Sequence, residues 1–443
     1  MRIKLSNHFS YGRLLRFTLP SIIMMVFTSV YGMVDGLFVS NVAGITQFAA
    51  INLVMPVLMI CGSIGFMFGA GGTAIVSQTL GEGRLDDAKK YFTLITVTTA
   101  LLGVIFSVAG IILMPTLSTL LGAEGELHSY CVLYGRVLLM AMPAFMLQNL
   151  FQSFFIAAEK PKLGLFVTVG AGITNIVLDA LFVWFLRLDL AGAAIATAIS
   201  QIVGAVVPLV YFSRKNDSLL AFSKFKFYGK VLIKSVTNGS SELMSNISMS
   251  VVTVLYNSQL MGFAGEDGIA AYGAMMYLGF FFVAIFIGYS IGSAPIIGFH
   301  YGAKCEGEVK SILRKSAVIT FSIGALMTLI GVIFATPLSS IFVSSSPTLL
   351  AMTSHGMRIY SMSFFVSGFC IFSSSFFTAL GNGPTSAAIS FMRTFVYQVV
   401  LVLILPIFFE LEGIWYSMLV AEILSVLTSF VFLFINRKKY NYI

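Results

Sequence analysis

The chain has 443 residues, of which 58% are apolar and only 10% charged, and its mean hydropathy is +0.95. Soluble domains carry about 25% charged residues, so the composition excludes a water-soluble globular enzyme and points to an integral membrane protein. A formal charge of +8 would suit a nucleic-acid binder, but the basic residues sit between apolar runs, where they report topology instead.

A crossing takes about 20 apolar residues, and twelve runs qualify: 17–40, 48–78, 92–116, 128–157, 163–186, 191–212, 231–261, 269–299, 316–337, 353–380, 385–408 and 413–435. The first is too long for the apolar core of a cleavable signal peptide and reads as a span. An even count puts both termini on one side. That side collects Arg2, Lys4, Arg13 and Arg16, then Arg84, Lys89 and Lys90, then Lys160 and Lys162. It continues with Arg214, Lys215, Lys224, Lys226, Lys230 and Lys234, then Lys304, Lys310, Arg314 and Lys315, and ends with Arg437, Lys438 and Lys439. The opposite loops carry Glu124, Glu126, Asp189, Glu266, Asp267, Glu410 and Glu412 against Arg187. Positive-inside bias then places both termini in the cytoplasm.

The chain repeats itself. Gly12–Arg16 resembles Gly229–Lys234 in charge pattern, Ala49–Ala50 corresponds to Ala270–Ala271, Phe154–Ala157 to Phe376–Ala379, Pro161 to Pro384 and Gly192 to Gly413. Six spans per half insert both halves the same way up, a parallel repeat about an axis along the membrane normal. The expected fold is all-α and polytopic, with twelve transmembrane helices in two six-helix lobes and a V-shaped cleft between them. The N-terminal lobe is 1–212, the cytoplasmic linker 213–230 and the C-terminal lobe 231–443. Phe222, Phe225 and Phe227 alternate with Lys224 and Lys226 in the linker, which suits a segment lying on the inner membrane surface. Two lobes about a central cleft are the layout of an alternating-access secondary transporter. No phosphate-binding GxxxxGK[ST] loop occurs, so ATP is not the expected direct energy source.

Ionisable groups inside a bilayer are costly and mark function by default. Four acids fall within spans: Asp35, Asp179, Glu242 and Glu422. At about 1.5 Å per residue, Asp35 lies ~7–8 Å, Thr197 ~9 Å and Asp179 ~12 Å below the outer ends of their spans. Asn175 shares a helix face with Asp179, since i and i+4 coincide. Two carboxylates, an amide and a hydroxyl at similar depth could hold a hard cation or share one proton. A lone threonine, however, more often makes an ordinary interhelical hydrogen bond. Glu242 lies near mid-membrane among Asn238, Ser240, Ser241, Ser245 and Asn246, a face suited to water or substrate. Glu422 has Gln201 as its repeat mate, and Arg393 is positioned to neutralise it. The cysteines Cys61, Cys131, Cys305 and Cys370 form no CxxC, and the four histidines show no paired-ligand spacing; no cofactor, resident metal or catalytic residue is expected.

These residues resemble the multidrug and toxic compound extrusion (MATE) family, in its DinF-like and MepA-like bacterial branch. The resemblance rests on Pro20 and Val34–Ser40 in the first span, Gly71–Gly81, Asn175–Asp179, Gly192–Thr197 and Ala379–Pro384, and it runs through essentially the whole chain. It implies a secondary active multidrug efflux transporter that exchanges cationic or hydrophobic organic compounds for H⁺ or Na⁺. It implies a cation site at Asp35, Asn175, Asp179 and Thr197, a bend of the first helix at Pro20, and a location in the bacterial plasma membrane. Glu242 resembles a carboxylate of the other main branch and, with Asn246 and Gln201, is a candidate for the substrate cavity. That branch's acid in the tenth span has no match, since Phe369 and Cys370 stand there. The expected partners are small organic cations and the lipid bilayer, with no nucleic acid and a monomeric state. The alternative is a flippase or exporter of a lipid-linked or amphipathic substrate, which would need basic residues in the cavity; only Arg136, Arg358 and Arg393 offer them. The lack of any nucleophile or metal constellation argues against an enzyme, and the two-lobe repeat against a simple pore.

Overall fold

In hydrocarbon no water satisfies a free backbone group, so an apolar chain of this kind must close its hydrogen bonds within helices. The computed structural model describes residues 3–42, 45–343 and 346–442, with the side chains of 33–42, 45 and 48 outside that description. All regular elements among the described residues are helical. They run α1 (Tyr11–Val42), α2 (Ile45–Gly81), α3 (Leu85–Leu120), α4 (Gly125–Met140), α5 (Met142–Ala157), α6 (Pro161–Asp179), α7 (Asp189–Ser213) and α8 (Gly229–Gly302). There follow α9 (Glu306–Ile333), α10 (Ala335–Ser340), α11 (Pro347–Met362), α12 (Phe364–Ala379), α13 (Gly383–Phe391) and α14 (Tyr397–Tyr440). Widened π turns extend α6 over Ala180–Phe185 and join α13 to α14 over Met392–Val396.

Two crossings expected as single runs are bent. The fourth breaks between α4 and α5 by 53° and the tenth between α11 and α12 by 50°. Pro143 in the first turn of α5 has no N–H to give the preceding turn. At the second bend the Ser363 hydroxyl captures the Tyr360 carbonyl at 2.6 Å, and a local three-residue bond replaces the helical one. Among the described residues, eight helices, or up to ten with each bent pair taken as one crossing, are long and apolar enough to cross a membrane. The 74-residue α8 would be ~110 Å long, against a hydrocarbon core of about 30 Å. It turns at Gly265, whose φ of 62° is left-handed, and α14 turns at Glu410 with φ 49°. Gly265 falls between the expected runs 231–261 and 269–299, and Glu410 between 385–408 and 413–435.

The lobes meet at the end that carries the basic loops. There Gly71 and Gly239 bring α2 against the start of α8, Gly81 and Gly302 bring α2 against its end, and Gly288 and Gly292 bring α1 against its last third. A methyl added at Gly239 would lie 2.7 Å from the Met67 carbonyl carbon, and one at Gly71 2.6 Å from the Gly239 nitrogen. Only glycine allows backbones this close, the way membrane helices associate. Gln78 adds a cross-lobe bond, its Nε2 donating to the Ala379 carbonyl at 2.7 Å.

A strap that the sequence reading does not anticipate runs beneath this seam. Leu5 and Phe9 are fully buried. The Leu5 N–H donates to Glu159 of the N-terminal half at 2.7 Å, and Lys315 of the C-terminal half donates to the Phe9 carbonyl at 2.6 Å. His8 pairs with Glu308. The segment from 214 to 228 has no helix. It is more embedded than a surface linker, because Phe222 stacks on Phe92 at 5.1 Å and Leu220 is fully buried, while Phe225 and Phe227 stay exposed.

Candidate cation and substrate site

The sixth helix ends where its chemistry begins. Asp179 is its last residue, and the π turn starts at Ala180, a widening often found at functional positions. Asp179 and Asn175 stack one turn apart with 0% and 1% exposure. The Asn175 Nδ2 donates to Thr197 Oγ1 of α7 at 3.4 Å, so amide and hydroxyl from two helices meet, while Thr197 is only half-buried. Helix α1 packs on α6 one turn deeper. A methyl at Gly172 would touch Phe27 at 2.5 Å and Tyr31 at 3.1 Å. Asp35 follows Tyr31 by one turn of α1, but its side chain lies outside the described residues. Helix α1 is continuous through Pro20, which is buried.

Several amides that the sequence reading passed over sit in the same lobe. Gln148, Asn149 and Gln152 of α5 are nearly fully buried. Asn149 donates to the Gly62 carbonyl at 3.4 Å. Gln148 packs on Gly204 of α7, one turn from Gln201. The Oε1 atoms of Gln152 and Gln201 have no hydrogen-bond partner among the described residues. Three amides within five residues of an apolar helix were the available signal.

In the other lobe, Glu242 stands one turn beyond Gly239, which packs on Met67. It is half-buried, and its carboxylate has no hydrogen-bond or ion-pair partner among the described residues. Asn246 instead turns back to its own helix, its Nδ2 donating to the Glu242 carbonyl at 2.8 Å. Glu422 is not free. Arg393 holds it in a fork, Nε to Oε1 and Oε2 at 2.9 and 3.0 Å and Nη2 to Oε1 at 2.8 Å. Beside it Tyr256 bonds Gln398 at 2.6 Å and Ser417 at 2.8 Å. Among the described residues no cluster of three His, Cys, Asp or Glu side chains forms a metal site.

Two stretches, 20–181 and 243–404, match the sequence model of the MatE family. The chain belongs to the MatE family. Its two matched stretches are equally long and fall one in each half. Among relatives of this MatE chain, a multidrug export protein MepA of Staphylococcus saprophyticus is 24% identical over 427 residues, covering 96% of this chain and 94% of its own. A MepA of Staphylococcus aureus is 24% identical over 442 residues, covering 97% and 94%. The fold superposes on an outward-facing multidrug resistance MATE family transporter of the MOP superfamily with TM-score 0.93 at 21% identity, covering 98% of both chains. A MOP superfamily transporter from Pyrococcus furiosus aligns with TM-score 0.92 at 21% identity, covering 98% of this chain and 97% of that one.

Proposed function

We propose that this MatE chain is a multidrug exporter that exchanges organic cations for H⁺ or Na⁺ across a bacterial plasma membrane, with both termini in the cytoplasm. The observation that carries the reading is the Asp179–Asn175–Thr197 cluster, a buried carboxylate beside a bonded amide and hydroxyl where α1, α6 and α7 converge. Asp35 is assigned to the same site through its place in α1. A proton or Na⁺ bound there favours one arrangement of the N-terminal lobe and drug favours the other, and differential affinity is all that coupling needs. Glu242 supplies the charge that retains a cationic drug, and Gln201, whose Oε1 has no partner among the described residues, offers it a neutral acceptor. The names of the MepA relatives support drug export, and the positive-inside distribution supports the orientation. The flippase alternative finds little support, because Arg393, one of three candidate cavity cations, is already committed to Glu422.

The test is flux of ethidium in liposomes under an imposed pH gradient or an imposed Na⁺ gradient. Wild-type flux should follow one gradient, and Asp179→Asn and Asp35→Asn should each abolish it. Flux that ignores both gradients would sink the antiport reading. No ethidium movement by folded protein would send the search to lipid-linked substrates.

A further inference from the structure

Away from the cleft, on the outer wall of the C-terminal half, α9 and the last turns of α14 enclose a groove of about 620 Å³ floored by Phe369 of α12. Its inner walls are apolar. Phe430 and Phe434 are 49% and 60% exposed although they line it, and Phe430 stacks on Phe369 at 4.9 Å. Its mouth, at the end with the basic loops, is cationic. Lys310 and Arg314 are one turn apart on α9 and both line the groove. Arg437 lies over the Phe434 ring with its guanidinium carbon 3.4 Å from the centroid, which fixes a third cation at the rim. Glu306, one turn before Lys310, accepts from Asn441 at 3.3 Å and keeps its charge, so at most one of the three cations is offset, while Glu308 pairs with His8. Lys310 and Arg314 have no ion-pair partner among the described residues.

We infer that this groove binds one anionic phospholipid of the leaflet that faces the basic loops. The acyl chain would lie along Phe369, Phe430 and Phe434, with the phosphate held by Lys310, Arg314 and Arg437. The charge pattern selects the occupant. A zwitterionic lipid gains nothing net from three cations at headgroup depth, whereas an anionic one gains from each. The apolar walls run for about two turns below the cations, ~10 Å, the direction an acyl chain takes from its phosphate.

The test is native mass spectrometry of the detergent-solubilised full chain, titrated with dioleoyl phosphatidylglycerol or dioleoyl phosphatidylcholine. Wild type should retain the phosphatidylglycerol preferentially as a single adduct. The double variant Lys310→Gln/Arg314→Gln should lose about thirty-fold in its affinity, about fivefold per charge. Lys224→Gln/Lys226→Gln, which removes the same charge from the linker, should leave it unchanged. Ala317→Phe, which fills the groove and keeps every cation, should also weaken it. Equal retention of both lipids by wild type overturns the inference. So does an equal loss from the linker variant, which would mean diffuse attraction, and so does full phosphatidylglycerol binding by folded Ala317→Phe.

Discussion

Gly239→Ala tests whether the seam between the lobes is the part of the molecule that opens. The added methyl would lie 2.7 Å from the Met67 carbonyl carbon and 3.0 Å from its Cα, where carbon pairs normally keep about 3.5–4.0 Å. The two helices must separate by roughly 1 Å, and overpacking of this kind costs about 1–3 kcal/mol. Alanine also gains about 1 kcal/mol of helix propensity, but in both conformations, so this gain cancels from their ratio. The closed seam alone bears the clash, and the open-to-closed ratio should rise about 5- to 150-fold. Spin labels on the exposed Cys305 and on Arg84→Cys, with Cys61, Cys131 and Cys370 replaced by Ser, would report the separation of the halves at this end. Gly170→Ala, which meets open space, is the matched control and should leave the distances unchanged. A distance distribution identical in Gly239→Ala and wild type would refute the reasoning, whether or not the melting temperature falls.

Three further outcomes follow from described contacts. Arg393→Leu leaves Glu422 without its fork and should destabilise the fold by about 3 kcal/mol, while Arg393→Leu/Glu422→Leu should recover most of that loss; thermal melts of the single and double variants in one detergent check it, and equal melting temperatures would count against a structural pair. Phe9→Ala removes a fully buried ring from the strap, with an expected cost of about 3–5 kcal/mol; the same spin labels should show a wider basic end, and an unchanged distribution would mean that the strap does not hold the lobes. Thr197→Val breaks the 3.4 Å bond from Asn175, worth about 0.6 kcal/mol by the average for membrane helices; the half-saturating ion concentration in the flux assay should rise severalfold, and no rise would remove Thr197 from the site.

Much of the architecture was legible because lipid imposes a simple code. Apolar length marks a crossing, lysine and arginine mark a side, and repeated glycines and prolines mark the two halves. The bend at Ala141 had a signal in Pro143 that the apolar run outweighed, whereas the bend at Ser363 depends on one diverted hydrogen bond inside a run that looks continuous. At the site, Asn175 and Asp179 could be paired from their four-residue spacing alone, and their joint burial agrees with it. The contact between Asn175 and Thr197 needs two helices to be placed side by side, which no spacing encodes. The bond from Asn246 back to the Glu242 carbonyl of its own helix was likewise not readable from polarity alone. The strap was hidden because two buried side chains, Leu5 and Phe9, are too few to register as an apolar element.

The seam is made of glycines laid on carbonyls that already have partners. The Gln78 carbonyl accepts from Glu82 and the Phe299 carbonyl from Ala303, each at 2.9 Å, within or just beyond their own helices. Parting these surfaces therefore orphans almost no polar group. Among the described residues the bonds surrendered are those from Gln78 to Ala379, Lys315 to Phe9 and His8 to Glu308. The rest of the work of separation is lost packing, since Phe9, Phe17 and Ile156 share one buried cluster with Tyr289, Ile296 and Ile297. A tenfold ion gradient delivers about 1.4 kcal/mol, so what is lost at this end on opening has to be recovered almost fully elsewhere in the molecule.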